Sequence, residues 1–466
     1  MPGQLFAEKG ATGTGPLQLK PLWIILLSLW AFLLASGCGG GDRTKDTTSS
    51  DSPTSSSTSS TASTSSTWSI AEKNDFVLSR MREWYLWYDQ IPSNLNSNNY
   101  SSPEAVLEAA RYKVKDQWSY IASLQEITAQ LSTGEFTGIG IRTYLDDSIK
   151  LWVRQVFPSS PASTAGILRG DRILGINGRT VEQIQADNAW DQAFGADSPG
   201  VTITLNLLRS GATKLDIKVT KATFFVNPVY TSKVIQQGST KIAYLAFDAF
   251  TNAAYPSMLD AFNDFKTSGV TEMVLDLRYN SGGLVDIAAY LSSLMRDASD
   301  KDTFAILSYN NRHTSSNQTL NYTRMSSDLN LSRIFVITTS ATCSASEMVI
   351  QGLKPFITVV TVGSTTCGKP VGMDLVPFDD LVLAAITFRI TNVNGETDYF
   401  DGLSPSCAAT DDLSHDLGDT NESSLAAALS FIARGSCPSS TKRLLPRNTM
   451  TALPRRLPDM GWDGMW

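Results

Sequence analysis

Thr342-Cys343-Ser344-Ala345-Ser346-Glu347 lies between an apolar run, Ile334 to Thr338, and an apolar stretch of helical character, Met348 to Leu353 (MVIQGL). A short uninterrupted apolar run followed by a longer one predicts a buried strand that turns into a helix. A serine at such a turn stands at a helix N-terminus, where unpaired amides favour developing negative charge. The same place is the ordinary position of an N-cap serine, and taken alone the segment reads as a cap.

Outward from this turn, strands and helices alternate. Lys241 to Leu245 reads as a strand, Tyr255 to Phe265 as an amphipathic helix, Glu272 to Leu277 as a buried strand and Asp286 to Met295 as a helix. The Glu272 strand runs into Asp276-Leu277-Arg278-Tyr279-Asn280-Ser281-Gly282-Gly283. Paired glycines at a strand end leave backbone N–H groups uncovered and let a ligand approach closely. This third block, residues 224–437, is expected to be an α/β core.

Upstream, residues 136–223 hold Gly138-Ile139-Gly140-Ile141, Ser160-Pro161-Ala162, Ala165-Gly166, Gly170-Asp171-Arg172-Ile173 and Asn177-Gly178. This succession resembles a PDZ domain of the bacterial protease type. The resemblance implies that a peptide tail adds as a strand at a sheet edge, with Gly138, Ile139, Gly140 and Ile141 receiving its terminal carboxylate and last side chain. Residues 68–135 read as helical. Val77, Met81, Trp84 and Tyr88 recur on one helix face and read as packing, and Ser102-Pro103 marks a second helix start.

The N-terminus predicts export. Lys20 precedes an apolar run from Pro21 to Gly37, which reads as a signal peptide over residues 1–37. Ala35-Ser36-Gly37-Cys38 resembles a bacterial lipobox, with Ala35 where a leucine is usual; the resemblance implies lipidation of Cys38. An uncleaved signal anchor is the alternative. Residues 38–67 are Ser- and Thr-rich with almost nothing to bury, and read as a flexible tether. Gly39 after the anchoring cysteine fits sorting to the outer membrane, facing the periplasm. Residues 438–466 carry a basic cluster in a Pro-containing stretch and read as a disordered tail.

In bulk, 466 residues suggest two or three domains, and 42% apolar residues suffice for a sizeable core. A net charge of −7 argues against a nucleic-acid partner. No His/Cys/carboxylate cluster has ligand spacing, so neither metal nor organic cofactor is expected.

A strand ending in Asp-Leu-Arg-x-Asn-x-Gly-Gly, a Ser-Ala-Ser-Glu turn and a later Gly-Lys resemble the C-terminal processing, or tail-specific, protease family. In that family the first serine of the turn is the nucleophile and a lysine 25 residues later is the base; here these are Ser344 and Lys369. The resemblance implies an oxyanion hole from the amide of Ala345 and that of Gly282 or Gly283. It also implies a multidomain α+β fold: helical cap, PDZ domain and a ClpP- or crotonase-like core. Serine needs a neighbouring base. The two histidines, His313 and His415, lie far from Ser344 in sequence, which disfavours a Ser-His pair without removing it. An ordinary lysine, with a pKa of about 10.4, is charged at neutral pH and must be buried among apolar groups or lie near another cation to act as base. The family often has a glutamine four residues after the lysine; here Met373 stands there, with Asp374 a nearby polar candidate.

Four cysteines remain beyond Cys38. Cys343 adjoins the nucleophile and Cys367 precedes the base, so a close Ser344–Lys369 pair predicts the disulfides Cys343–Cys367 and Cys407–Cys437. The expected activity is a serine endopeptidase acting on proteins or peptides through their C-terminal tails. The alternatives are a catalytically inactive PDZ-bearing binding lipoprotein, or an esterase or acyl transferase with the same nucleophile. The oligomeric state is not readable.

Overall fold

The computed structural model describes residues 67–210 and 213–438. The expected signal peptide, Cys38, the tether up to residue 66 and the tail beyond 438 lie outside the described residues.

The first helix, Ile70–Trp84, begins in a capping box in which Ser69 and Glu72 exchange side-chain-to-backbone bonds. It buries Val77, Leu78 and Met81. The helix ends at Trp84, so Tyr88 falls outside it, in the short 3₁₀ turn Tyr88–Gln90. Trp84 packs away from this bundle, its ring stacked at 3.6 Å on His313. The second helix, Pro103–Ala110, is capped by the Ser102 side chain. The block read as helical also supplies a strand, Tyr120–Ser123, antiparallel to Leu381–Thr391. Four residues are too few to carry a periodic signal; Tyr120 and Ala122 are buried against Ile127, Leu131 and Ala384.

Next comes a six-stranded sheet whose path runs Ile141–Leu145, Leu151–Val156, Arg172–Ile176, Thr202–Arg209 and Thr213–Thr220, with Arg179–Thr180 paired to the third strand. Its core includes Ile139, Ile141, Val153, Ile173, Ile184, Trp190 and Leu205. Among the described residues, strand Ile141–Leu145 is paired on one side only and forms an edge. The chain enters and leaves this unit through a two-stranded ribbon, Glu135–Gly138 with Ala222–Phe225.

The remaining residues form two sheets. The six-stranded one has the order Val229–Gln237, Thr240–Phe247, Glu272–Asp276, Arg333–Thr338, Thr358–Gly363, Cys407–Ala408. Its first pair is antiparallel and the others parallel. Parallel strands are covered on both faces, which accounts for their uninterrupted apolar sequences. Ala243, Leu245 and Phe247 pack with helices Ala254–Ser268, Val285–Met295 and Ala345–Leu353. Ile242, Tyr244 and Ala246 face Ser423–Arg434 on the other side. The second sheet is antiparallel, in the order Tyr120–Ser123, Leu381–Thr391, Thr303–Tyr309, Gln318–Asn321, with Val371–Phe378 also on the second of these.

Candidate active site

Ser344 is the hinge between the strand Arg333–Thr338 with its following turn and the helix Ala345–Leu353. Its φ of 54° and ψ of −116° lie outside the regions open to most side chains, a local strain that clusters at functional sites. Cys343 and Ala345 are buried on either side, whereas Ser344 is half-buried. The turn is fixed from below: Cys343 N–H and the Ser346 hydroxyl both donate to the Asn280 carbonyl, at 3.1 and 2.7 Å.

Glu347, three residues into this corner, is fully buried. Its carboxylate accepts the backbone N–H of Ser344 (3.0 Å), of Gly368 (2.8 Å) and of Lys369 (2.8 Å), and the Thr366 hydroxyl. Burial pushes this carboxyl above the ordinary range, and the four donors pull it back only in part. One side chain thus fastens the segment carrying the serine to the segment carrying the lysine. Cys343 and Cys367 tie the same two segments through bonded sulfurs, with Cα atoms 5.2 Å apart, and Cys367 N–H donates to the Thr342 carbonyl at 3.0 Å.

Lys369 is only 3% exposed, and its Nζ lies 5.8 Å from the centre of the Trp118 ring. Gly368 before it has φ 86°, and a Cβ there would meet the Phe400 carbonyl at 2.3 Å, so the tight turn needs glycine.

The paired glycines reach the same corner. A Cβ on Gly282 would fall 2.8 Å from Ser344 Cβ and 3.0 Å from Ala345 N. Gly282 N–H donates to the Asn280 side chain at 2.9 Å. Among the described residues, the N–H groups of Gly283 and Ala345 make no hydrogen bond.

Behind this turn, buried Arg278 pairs with Asp276 (2.6 Å), Glu422 (2.7 Å) and Asp411 (3.3 Å). Asp411 also binds Arg169 (2.9 Å), from the preceding six-stranded unit, and the Tyr279 hydroxyl. Burial pushes the Asp411 carboxyl up, but Arg169, Arg278 and Arg154 together hold it below its ordinary value. A second tie between the units is the buried pair Arg142–Asp248 at 2.6 Å.

Several expected residues lie elsewhere or do other things. Ile139 and Ile141 are fully buried in the core of their own unit, with the carbonyls of Ile139 and Gly140 taken by Ala162 and Phe157 N–H; Gly138 ends the ribbon strand. Asp374 accepts from the Tyr309 hydroxyl at 3.1 Å, and Met373 packs with the N-terminal apolar clusters. His313 is stacked on Trp84 with its Nε2 2.9 Å from a Glu83 carboxylate oxygen, and His415 is hydrogen-bonded to Asp412. Cys407 and Cys437 are bonded, Cα atoms 5.5 Å apart. Among the described residues, Cys343, Glu347 and Cys367 form one potential metal-donor cluster, but both sulfurs are spent on each other. Glu347 went unassigned in the sequence, although its serine-plus-three spacing is the capping-box signal. Trp118 had no sequence signal, because nothing links it to Lys369 along the chain.

Residues 241–407 match the model of peptidase family S41, residues 72–120 that of the S41 N-terminal domain, and residues 137–220 that of a PDZ domain. A crystal structure from Bacteroides fragilis NCTC 9343, of a protein classed with the S41 proteases, shares 30% identity; the match covers 77% of this chain and 97% of that one, with a TM-score of 0.63. The carboxyl-terminal-processing protease of Picosynechococcus sp. is 27% identical over 55% of this chain. The chain spans 60% of that curated relative's length.

Proposed function

The chain belongs to peptidase family S41, and from that premise we propose that it is a serine endopeptidase in which Ser344 is the nucleophile and Lys369 the general base. The observation that carries the proposal is the shared carboxylate of Glu347, which holds the backbones of Ser344 and Lys369 to one anchor. Lys369, as the neutral amine, takes the proton as Ser344 Oγ attacks the peptide carbonyl. The Ala345 and Gly283 amides, which have no other acceptor among the described residues, receive the oxyanion; Gly282, whose amide serves Asn280, lets the substrate backbone approach. One such donor is worth about 3 kcal/mol of barrier. Protonated Lys369 then gives its proton to the leaving amine, and water, deprotonated by the same amine, releases the acyl group from Ser344.

Substrates are proteins or peptides whose C-terminal tail adds to the open edge of strand Ile141–Leu145, with the Gly138–Ile141 segment at the carboxylate end. The mature protein is exported, lipidated at Cys38 and held at the bacterial outer membrane, facing the periplasm. The disulfides Cys343–Cys367 and Cys407–Cys437 fit that oxidising location, and their Cα separations of 5.2 and 5.5 Å support them.

The test is incubation with an unfolded protein ending in an apolar residue, beside Ser344→Ala and Lys369→Ala. Cleavage by the parent alone is expected. Cleavage by either variant would end the dyad proposal, and none by any of the three would favour a binding lipoprotein that keeps the protease fold.

A further inference from the structure

We propose that Trp118 is a positioning residue for Lys369: the N-terminal helical region sets its indole over the ε-amino group as an apolar lid that keeps water from the base. The proposal rests on Lys369 being the base.

The lid is held firmly on its own side. The carboxylate of Asp116, itself 1% exposed, accepts Trp118 N–H and Ser119 N–H at 2.9 Å each, the Ser119 hydroxyl at 2.6 Å and the Tyr85 hydroxyl at 2.7 Å. The Ser119 oxygen in turn accepts Ile386 N–H at 3.0 Å. Ile386 is the register partner of Met373, on the strand that begins two residues after Lys369. On the other side the indole faces the Phe400 ring, at 6.2 Å and 27° between planes, and the Phe400 carbonyl abuts Gly368. Trp118 is thus anchored to the N-terminal region, to the second sheet and to the turn that carries the base.

An indole near an amine acts in two opposed ways. Its π-face attracts the ammonium form, but 5.8 Å is close to the ~6 Å limit at which that attraction counts. Its bulk removes water, which disfavours the charged form and can move a buried lysine by up to ~3–5 pKa units. Water exclusion is the larger effect at this distance.

The other charged and titratable groups around the corner decide what the lid must offset. Glu347, from the helix behind, accepts the Lys369 backbone N–H and favours an ammonium nearby. Tyr399, on the loop that carries Phe400, is pushed up by burial and then by Glu347. Lys115 sits over the outer face of Phe400, 4.9 Å from its centre. Asp116 is saturated by the four donors above. Arg389, in register with Val371, leans to Asp398 at 3.7 Å. Trp118 supplies apolar cover over the Lys369 amine that opposes the pull of Glu347.

The experiment is kcat/KM against pH for the full chain, with a reporter peptide ending in an apolar residue, in the parent, Trp118→Ala, Trp118→Leu and Lys369→Ala. Trp118→Ala is expected to move the acidic limb upward by about one pH unit or more, with roughly tenfold loss at neutral pH that recovers on the alkaline side. Trp118→Leu, apolar without a π-face, is expected to keep the parent's limb. A uniform loss across pH in Trp118→Ala, an unmoved limb, or Trp118→Leu shifting as far as Trp118→Ala would overturn the proposal. Lys369→Ala separates the two levels. Activity in that variant would overturn the base assignment itself, whereas an inactive Lys369→Ala with an unmoved Trp118→Ala limb would overturn the lid alone.

Discussion

Replacing Glu347 with glutamine keeps the size of the side chain but puts an NH2 where four donors converge. If the NH2 takes the position of Oε2, it confronts the amides of Ser344 and Lys369. In the position of Oε1 it confronts the Gly368 amide and the Thr366 hydroxyl, and only the hydroxyl can turn round to accept. One or two backbone amides in the segments that carry Ser344 and Lys369 are therefore left facing a donor, at about 1–3 kcal/mol each. Against this, the substitution removes a buried charge whose desolvation is worth several kcal/mol and which already outweighs its four bonds, since the carboxyl sits above its ordinary range. The two terms nearly cancel, so global stability is expected to change by no more than about 2 kcal/mol. Catalysis has no such compensation. Each amide released lets Ser344 or the Gly368-Lys369 turn drift, and a misplacement near 1 Å costs about 100-fold. Steady-state kinetics with thermal melts should show kcat down about 100-fold, KM little changed, and a melting midpoint within a few degrees of the parent. A variant with the parent's kcat, or with its whole loss in KM, would refute the idea that Glu347 aligns nucleophile and base.

Arg278→Met should lower stability by about 3–5 kcal/mol in urea titrations, because it leaves Asp276 and Glu422 buried without their cation. Arg333→Met, which breaks a partly exposed pair with Glu272, should cost under about 1 kcal/mol. The Asp411 carboxyl is held below its ordinary value of 3.8, so its contribution is fully present above that value and is lost as pH falls through the lower native value. Melting midpoints should accordingly fall on acidification below about pH 4, and less steeply in Asp411→Asn. The double variant Cys343→Ala/Cys367→Ala removes a cross-link across 24 residues of sequence, which should cost about 3 kcal/mol in stability, with a further loss of kcat as Ser344 and Lys369 lose one of their ties.

Much of the core was legible in the sequence for a physical reason. Parallel strands buried on both faces must be apolar throughout, so Glu272–Asp276 and Arg333–Thr338 stood out, and the helix Ala254–Ser268 showed its amphipathic period. The second sheet did not stand out. Tyr120–Ser123 is four residues long, and the long strand Leu381–Thr391 pairs with it and with Thr303–Tyr309, contacts between distant segments that leave no local pattern. At the candidate site, residue types at fixed spacing were readable, Ser344 with Lys369 and Gly282 with Gly283. The role of Glu347 was partly readable, since its spacing marks a cap but its reach to Gly368 and Lys369 depends on the fold. The contact of Trp118 with Lys369 spans separate regions of the chain and could come only from the structure. The proposal of Gly283 rather than Gly282 as oxyanion donor rests on one bond, from Gly282 N–H to the Asn280 side chain.

In the proposed dyad Ser344 is the group acylated and Lys369 the group that makes it reactive. Rapid mixing with an activated peptide ester, acid quenching and peptide mass mapping test this directly. One acyl group per chain is expected, on Ser344, forming in a burst in the parent, absent in Ser344→Ala and slowed by orders of magnitude in Lys369→Ala. An acyl group on any other residue, or acylation of Ser344 at the parent's rate without Lys369, would contradict it.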